Sequence, residues 1–276
     1  MTRHLEQRCY VQFNRNSPMT KKATQTFGAR AKSWATKEGL HGPQAFFRFV
    51  IFTYLDCLTK ESDEFIFKGG NLLWLYTHTP RHTIDLDLVT RKLNKTDQIK
   101  ILLERSCGHA EGVQFKLISI KEVSTEEIMG AAVVMGYTTE NGASNKFDLD
   151  IVYALPTRTT VLPSPIPGRN ELHVATLENI IADKISACHR FGAGNTRMKD
   201  YDDLWRLASE NQAVDWKIIL ALLEAKKIPA ILDSAWINEE LSSAWKRHIR
   251  RYKDLPEELT AVLTEINQWL QRSITK

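Results

Sequence analysis

The chain has 276 residues, 43% of them hydrophobic, with 37 Lys and Arg against 33 Asp and Glu and a formal net charge of +4. That length and apolar content supply the core of one large domain or two moderate ones, so a globular enzyme is the default class, and the mild charge does not by itself indicate nucleic acid. The four cysteines, Cys9, Cys57, Cys107 and Cys188, lack Cys-x-x-Cys spacing, which disfavours a zinc site or a disulfide framework. No apolar run reaches membrane-spanning length, and the polar start Met1-Thr2-Arg3-His4 lacks a secretory core, so a cytoplasmic protein without a membrane partner is expected.

Residues 1–40 read as a basic tail, with Lys21 and Lys22, followed by a short helix carrying Phe27, Ala31 and Trp34; Met19 offers a second possible start. Gly42-Pro43 opens a core helix over 44–58, where Phe46, Phe49, Val50 and Leu55 recur at helical spacing. A short strand, 65–67, runs into Gly69-Gly70 and a packed helix beginning near Leu72. After the Thr79-Pro80 break comes a strand bearing Asp85 and Asp87 on one face, with Ile84, Leu86 and Leu88 on the other. A helix over 96–105 is capped by Asn94 or Thr96. Strands follow over 113–120, 131–138 and 145–153, the last two joined at Asn141-Gly142 as a hairpin.

The Pro-rich stretch after Leu155, with Pro156, Pro163, Pro165 and Pro167, reads as a linker. The predicted division is therefore 41–155 for an α/β domain, 156–170 for the linker and 171–276 for a helical domain. Helices are expected over 176–191, 198–209, 214–226, 238–252 and 257–272.

Chemistry concentrates around Lys68-Gly69-Gly70-Asn71 and Asp85-Leu86-Asp87. The glycines let the backbone turn tightly and approach a bulky anion, and the N–H groups opening the next helix can bind phosphate oxygens. Alternation aims both carboxylates to one face, where they can share a hard divalent cation. Each motif alone is common, as a turn or a solvated strand edge. Together, in strand–helix–strand order, they suggest a nucleotide-transferring site. The hairpin's returning strand, Lys146-Phe147-Asp148-Leu149-Asp150, again places two acids on one face, an arrangement equally ordinary on a solvated sheet.

Lys68-Gly69-Gly70, Leu72, Arg81, Thr83 and Asp85-x-Asp87, then Ala182-Asp183-Lys184 and Arg197-Met198-Lys199-Asp200-x-x-Asp203-Leu204, resemble the ordered motifs of the AbiEii/AbiGii and MenT-type toxins of type IV toxin–antitoxin systems, within the nucleotidyltransferase superfamily. The resemblance implies a nucleotidyltransferase-like mixed sheet with flanking helices and a mainly helical C-terminal domain. It implies a third carboxylate completing a site for one or two Mg²⁺ ions with Asp85 and Asp87. Asp148, after Lys146-Phe147, is the first choice and Asp150 the reserve. It further implies an NTP co-substrate, an RNA acceptor such as the tRNA 3′ end, release of pyrophosphate, bacterial origin, a cognate antitoxin and a role in phage defence.

In that reading Lys68, Gly69, Gly70, Asn71, Arg81, Lys184 and Arg197 meet the nucleotide. Lys184 holds the triphosphate as a point charge, Asp200 orients Lys184 or a nucleotide hydroxyl, and Arg197 reaches a phosphate. The plain alternatives are solvated helix residues and an acidic first helical turn. The family usually places Ser or Thr after the glycines. Asn71 departs from that pattern, and its amide can donate the same bond with longer reach.

Downstream, Lys246, Arg247, Arg250 and Arg251, with Trp245 or Tyr252 for stacking, form a candidate RNA contact, although such runs are usually solvated helix faces. Two rivals stand beside the toxin reading: a transferase acting on a small molecule, and a catalytically silent module that binds nucleotide or RNA.

Overall fold

A computed structural model describes residues 25–79, 81, 83–125, 129–155 and 157–274. The basic tail and Met19 lie outside the described residues. Helix α1 (Phe27–Lys37) starts where the Thr26 hydroxyl accepts the Ala29 N–H, and buries Phe27, Ala31 and Trp34. Helix α2 (Gly42–Glu61) begins with Pro43 in its first turn and buries Phe49, Val50, Phe52, Leu55 and Leu58. It is the core helix that the apolar spacing predicts.

Strand β1 (Phe65–Lys68) passes directly into α3 (Gly69–Thr77), so this helix starts at the first glycine and not near Leu72. Strand β2 (Asp85–Thr90) buries Leu86 and Leu88, whereas Ile84 precedes the strand and is 70% exposed. Helix α4 (Thr96–Arg105) takes Lys95 as its cap residue without a side-chain bond; the Thr96 hydroxyl is instead engaged by Glu122 and Tyr153. Strands β3 (Gly108–Ala110), β4 (Val113–Ser124), β5 (Met129–Thr139) and β6 (Ser144–Val152) form successive antiparallel pairs, with the β5–β6 hairpin at the predicted Asn141-Gly142 turn.

Residues 156–170, read above as a linker, contain β7 (Thr159–Leu162), which pairs with β8 (Leu172–Ala175). Strand β8 in turn lies parallel to β1, so one mixed sheet runs through the expected boundary, in the order β3-β4-β5-β6-β2-β1-β8-β7. The prolines that suggested a linker fall outside the Thr-Thr-Val-Leu stretch, and β7 is an edge strand, where nearby proline disrupts no ladder.

One sheet face packs under α2, with Phe52 against Phe67 and Tyr54 against Phe147 at ring separations of 6.1 and 5.5 Å. On the other face of β6, Lys146, Asp148 and Asp150 remain exposed. The chain finishes with α5 (Leu177–Phe191), α6 (Met198–Ser209), α7 (Trp216–Ala225), α8 (Glu239–Ile249) and α9 (Leu259–Ile274). Helix α6 packs on α5, α8 and α9, which carries Asp200 and Asp203 back toward the sheet.

Candidate active site

Two pairings set the acids. Strand β2 lies antiparallel to β1, with Lys68 opposite Asp87, and parallel to β6, with Asp85 beside Asp148 and Asp87 beside Asp150. Lys68, Asp87 and Asp150 therefore share one row across three strands, next to the start of α3. Carboxylate oxygens of Asp85, Asp87 and Asp150 all lie within 4.8 Å of one another. The third member of this group is thus Asp150 and not Asp148, the first choice from sequence. The register is the reason, since Asp148 stands one pleat further out, beside Asp85, and away from the Lys68 row.

Burial first, and then the neighbouring Asp85 charge, pushes the Asp87 carboxyl up to about 6. Burial, Asp85 and Asp148 push Asp150 upward as well. Like charges at this separation resist joint ionisation, and a cation between them removes the penalty.

Gly69 has φ +77°, and a Cβ there would sit 1.8 Å from Asp87 Oδ2. A Cβ on Gly70 would sit 2.3 Å from Arg81 Nη2 and 2.6 Å from Thr83 Oγ1. Both glycines thus admit the protein's own groups to the start of α3. Asn71 is buried and donates from Nδ2 to the Asp85 carbonyl at 2.7 Å, so its amide clamps the acid-bearing strand to the helix.

Opposite the acids stands a chain of ion pairs that joins Arg81, between α3 and β2, to α5 and α6. Arg81 Nε meets Asp203 Oδ1 at 2.6 Å; Lys184 Nζ contacts Asp203 Oδ2 and lies 3.3 Å from Asp200 Oδ1; Arg197 Nε lies 3.1 Å from Asp200 Oδ2. Burial works against the Lys184 charge, but Asp203 and Asp200 outweigh it and hold the ammonium above its ordinary range. Lys199 Nζ reaches within 3.9 Å of Asp85 Oδ2 and joins the two walls. Between them is a cleft of about 140 Å³, lined by Lys68, Gly69, Asp87, Lys184, Arg197 and Lys199, among others. A larger hollow of about 210 Å³ beside α1, lined by Arg30, Trp34 and Arg169, holds no comparable group of acids.

A family model, nucleotidyl transferase AbiEii toxin of type IV toxin–antitoxin systems, matches residues 54–272. The chain belongs to this AbiEii family. Like its family, it is a nucleotidyltransferase. Among solved structures, a Helicobacter pylori protein assigned as a nucleotidyltransferase is 17% identical, covers 86% of this chain and 96% of its own, and superposes with a TM-score of 0.55. JHP933 from Helicobacter pylori is 19% identical, covers 82% and 89%, and gives 0.51. At these identities the likeness is one of fold. No curated protein matches the chain.

Two residues of this candidate site, Asp203 and Lys199, stood within the sequence motif but were given no role there. Asp203 is fully buried between Arg81 and Lys184, and its spacing of three from Asp200 on one helix face was the available signal. Lys199 neighbours Asp200 at the start of α6, and only the tertiary approach to Asp85 reveals it. The basic run behaves differently. Lys246, Arg247, Arg250 and Arg251 are exposed, but Trp245 is fully buried, with its indole N–H on the Pro256 carbonyl, and so is unavailable for stacking.

No helix among the described residues is long and apolar enough to cross a membrane.

Proposed function

We propose that this AbiEii-family protein transfers a nucleoside monophosphate from an NTP to the 3′ end of an RNA, with tRNA the foremost acceptor, and releases pyrophosphate. The observation that carries the reading is the convergence of Asp85, Asp87 and Asp150 beside a cleft whose opposite wall presents Lys184, Arg197 and Lys199. The donor set fits Mg²⁺: three hard carboxylate oxygens lie close together, and burial, followed by the neighbouring acids, already raises Asp87 and Asp150. Asp85, Asp87 and Asp150 would hold the ion, which when bound supplies charge neutralisation at the phosphates.

The protein's own groups do the rest. Lys184, Arg197 and Lys199 bind the triphosphate, with Lys184 kept charged by its acid partners. Arg81 and Asp203 hold Lys184 in place. The acceptor oxygen forms a bond to the α-phosphorus as the bond between that phosphorus and the bridging oxygen breaks, and pyrophosphate leaves with the electron pair toward the cationic wall. Asp148, exposed beside Asp85 and outside the acid group, takes the proton of the attacking hydroxyl. Family membership implies a cognate antitoxin. Growth arrest by blocked aminoacylation, and through it phage defence, completes the proposal.

Incubation with labelled NTPs, Mg²⁺ and total tRNA tests this. RNA that becomes labelled supports it, while nucleotide and RNA binding without label would overturn it in favour of a silent module. Label on an added small-molecule alcohol alone would overturn the choice of acceptor. Asp150→Ala should lose both Mn²⁺ binding, read by electron paramagnetic resonance, and transfer. Asp148→Ala should keep the metal and lose transfer.

A further inference from the structure

Among the described residues, the sheet face beyond the acids stays open. Cross-strand register sets Lys116, Gly136 and Lys146 in one row across β4, β5 and β6, and Lys121, Ala132 and Asp150 in another, continuous with Asp87. Paired residues of neighbouring strands point to the same face, so all three lysines share the face that bears the acids. At about 4.8 Å per strand, Lys121 stands roughly 10 Å from the Asp150 position. The three lysines are exposed and make no ion pair among the described residues.

The middle strand keeps this face low with small side chains. A Cβ on Gly136 would lie 2.9 Å from Ile118 Cδ1 and 3.0 Å from Lys116 Cε, so both side chains lie across that glycine. Ile118 reaches it because the β4–β5 register shifts between Leu117 and Ser119, a bulge that aims this apolar side chain onto the open face, where it is 51% exposed. The result is a shallow floor with cations along its sides and the exposed Ile118 in its midst, ending at a group of acids.

We propose that the open face of β4, β5 and β6 is the platform for the single-stranded end of the acceptor RNA. Lys116, Lys121 and Lys146 take its phosphates, Ile118 packs against a ribose or base, and the terminal hydroxyl arrives at Asp148. This assignment rests on the nucleotidyl-transfer reading for its choice of acceptor. Charge complementarity and continuity with the acid row both favour it over the basic run on α8. There Trp245 is buried, and Lys246 lies 3.9 Å from Glu258. His248 ties that helix to Asp202, two residues along α6 from Asp200 and thus on the far side of it from the cleft.

The test is binding of 5′-labelled, deacylated total tRNA to the full chain, without NTP or metal, across a salt series. At roughly 0.7 per single-strand phosphate contact, the combined Lys116→Ala, Lys121→Ala and Lys146→Ala variant should lower the slope of log affinity against log salt by about two. The matching Lys→Arg variant should keep the slope, and unchanged melting of both confirms that the exposed substitutions leave the fold intact. An unaltered slope in the alanine variant overturns the proposal, as does a loss that appears only when Lys246, Arg247, Arg250 and Arg251 are replaced. Retained RNA binding with lost capture of the antitoxin would assign the face to the protein partner and overturn it as well. Label transfer by Asp87→Ala, in contrast, would defeat the reading of the acids and leave the binding result to judge the platform.

Discussion

Replacing Asp203 by Ala removes the carboxylate that touches both Arg81 and Lys184. Lys184 retains Asp200 at 3.3 Å, but Arg81, only 5% exposed, loses its ion-pair partner. A buried guanidinium left without its acid costs ~3–5 kcal/mol of stability, because the charge can neither reach water nor give up its proton. Urea unfolding followed by tryptophan fluorescence should show that loss as a lowered midpoint with an unchanged slope. If the stranded charge is the cause, Arg81→Met combined with Asp203→Leu should be more stable than Asp203→Ala alone, since replacing a buried pair by apolar groups is often neutral.

The pH dependence follows the same ion pairs. Burial opposes the Asp203 charge, yet Lys184 and Arg81 outweigh it and hold the carboxyl below its usual range. Its stabilisation is therefore complete above about pH 4 and is lost as the pH falls through the lower folded value, so wild type should lose its advantage over Asp203→Ala only in that acid window. A loss below about 1 kcal/mol at neutral pH, or a double variant no better than the single one, would refute this account of the cationic wall.

Two further outcomes bear on the acid side of the cleft. Gly69→Ala puts a methyl where Asp87 Oδ2 now lies and strains a φ of +77°, so stability should fall by ~1–2 kcal/mol and Mn²⁺ affinity by more than about tenfold, with tRNA binding kept; calorimetry with Mn²⁺ checks the second effect. Because the Asp87 carboxyl is pushed up to about 6, its charged form burdens the folded protein above that pH and its proton competes with a divalent cation below it. Mg²⁺ should therefore raise the melting temperature well above pH 6 and have little effect near pH 5, as read by thermal melts against EDTA; equal shifts at both would remove Asp87 from the metal site.

Much of the site was legible because its signals are local. Gly69-Gly70 and Asp85-x-Asp87 need only a turn and a two-residue period, and Lys184 and Asp200 lie on helices whose apolar spacing is plain. Asn71 was legible as a departure but not as a clamp. Its bond is to the Asp85 carbonyl, fourteen residues away, and only folding decides whether an amide meets a ligand or a strand. Trp245 and the Pro-rich stretch misled for a related reason. Composition reported an aromatic among cations and prolines in a row, while tertiary packing placed the indole in the core and an edge strand between the prolines.

The choice between Asp148 and Asp150 marks where such reading stops. A period of two assigns both acids to one face with equal force, and no further property of that strand separates them. What separates them is register, which belongs to a pair of strands: sliding β6 by two residues along β2 would keep every buried side chain on its face yet put Asp148 beside Asp87. Buried pairs such as Leu86 with Leu149 and Leu88 with Ile151 fix the slide, since a two-residue shift would bring Phe147 to the place that Leu149 now fills under α2. Which acid joins Asp85 and Asp87 in the close group is thus decided by packing on the opposite face of the sheet. A Phe147 variant that loosens that packing should disturb metal binding although its ring lies on the far side of the sheet from the acids.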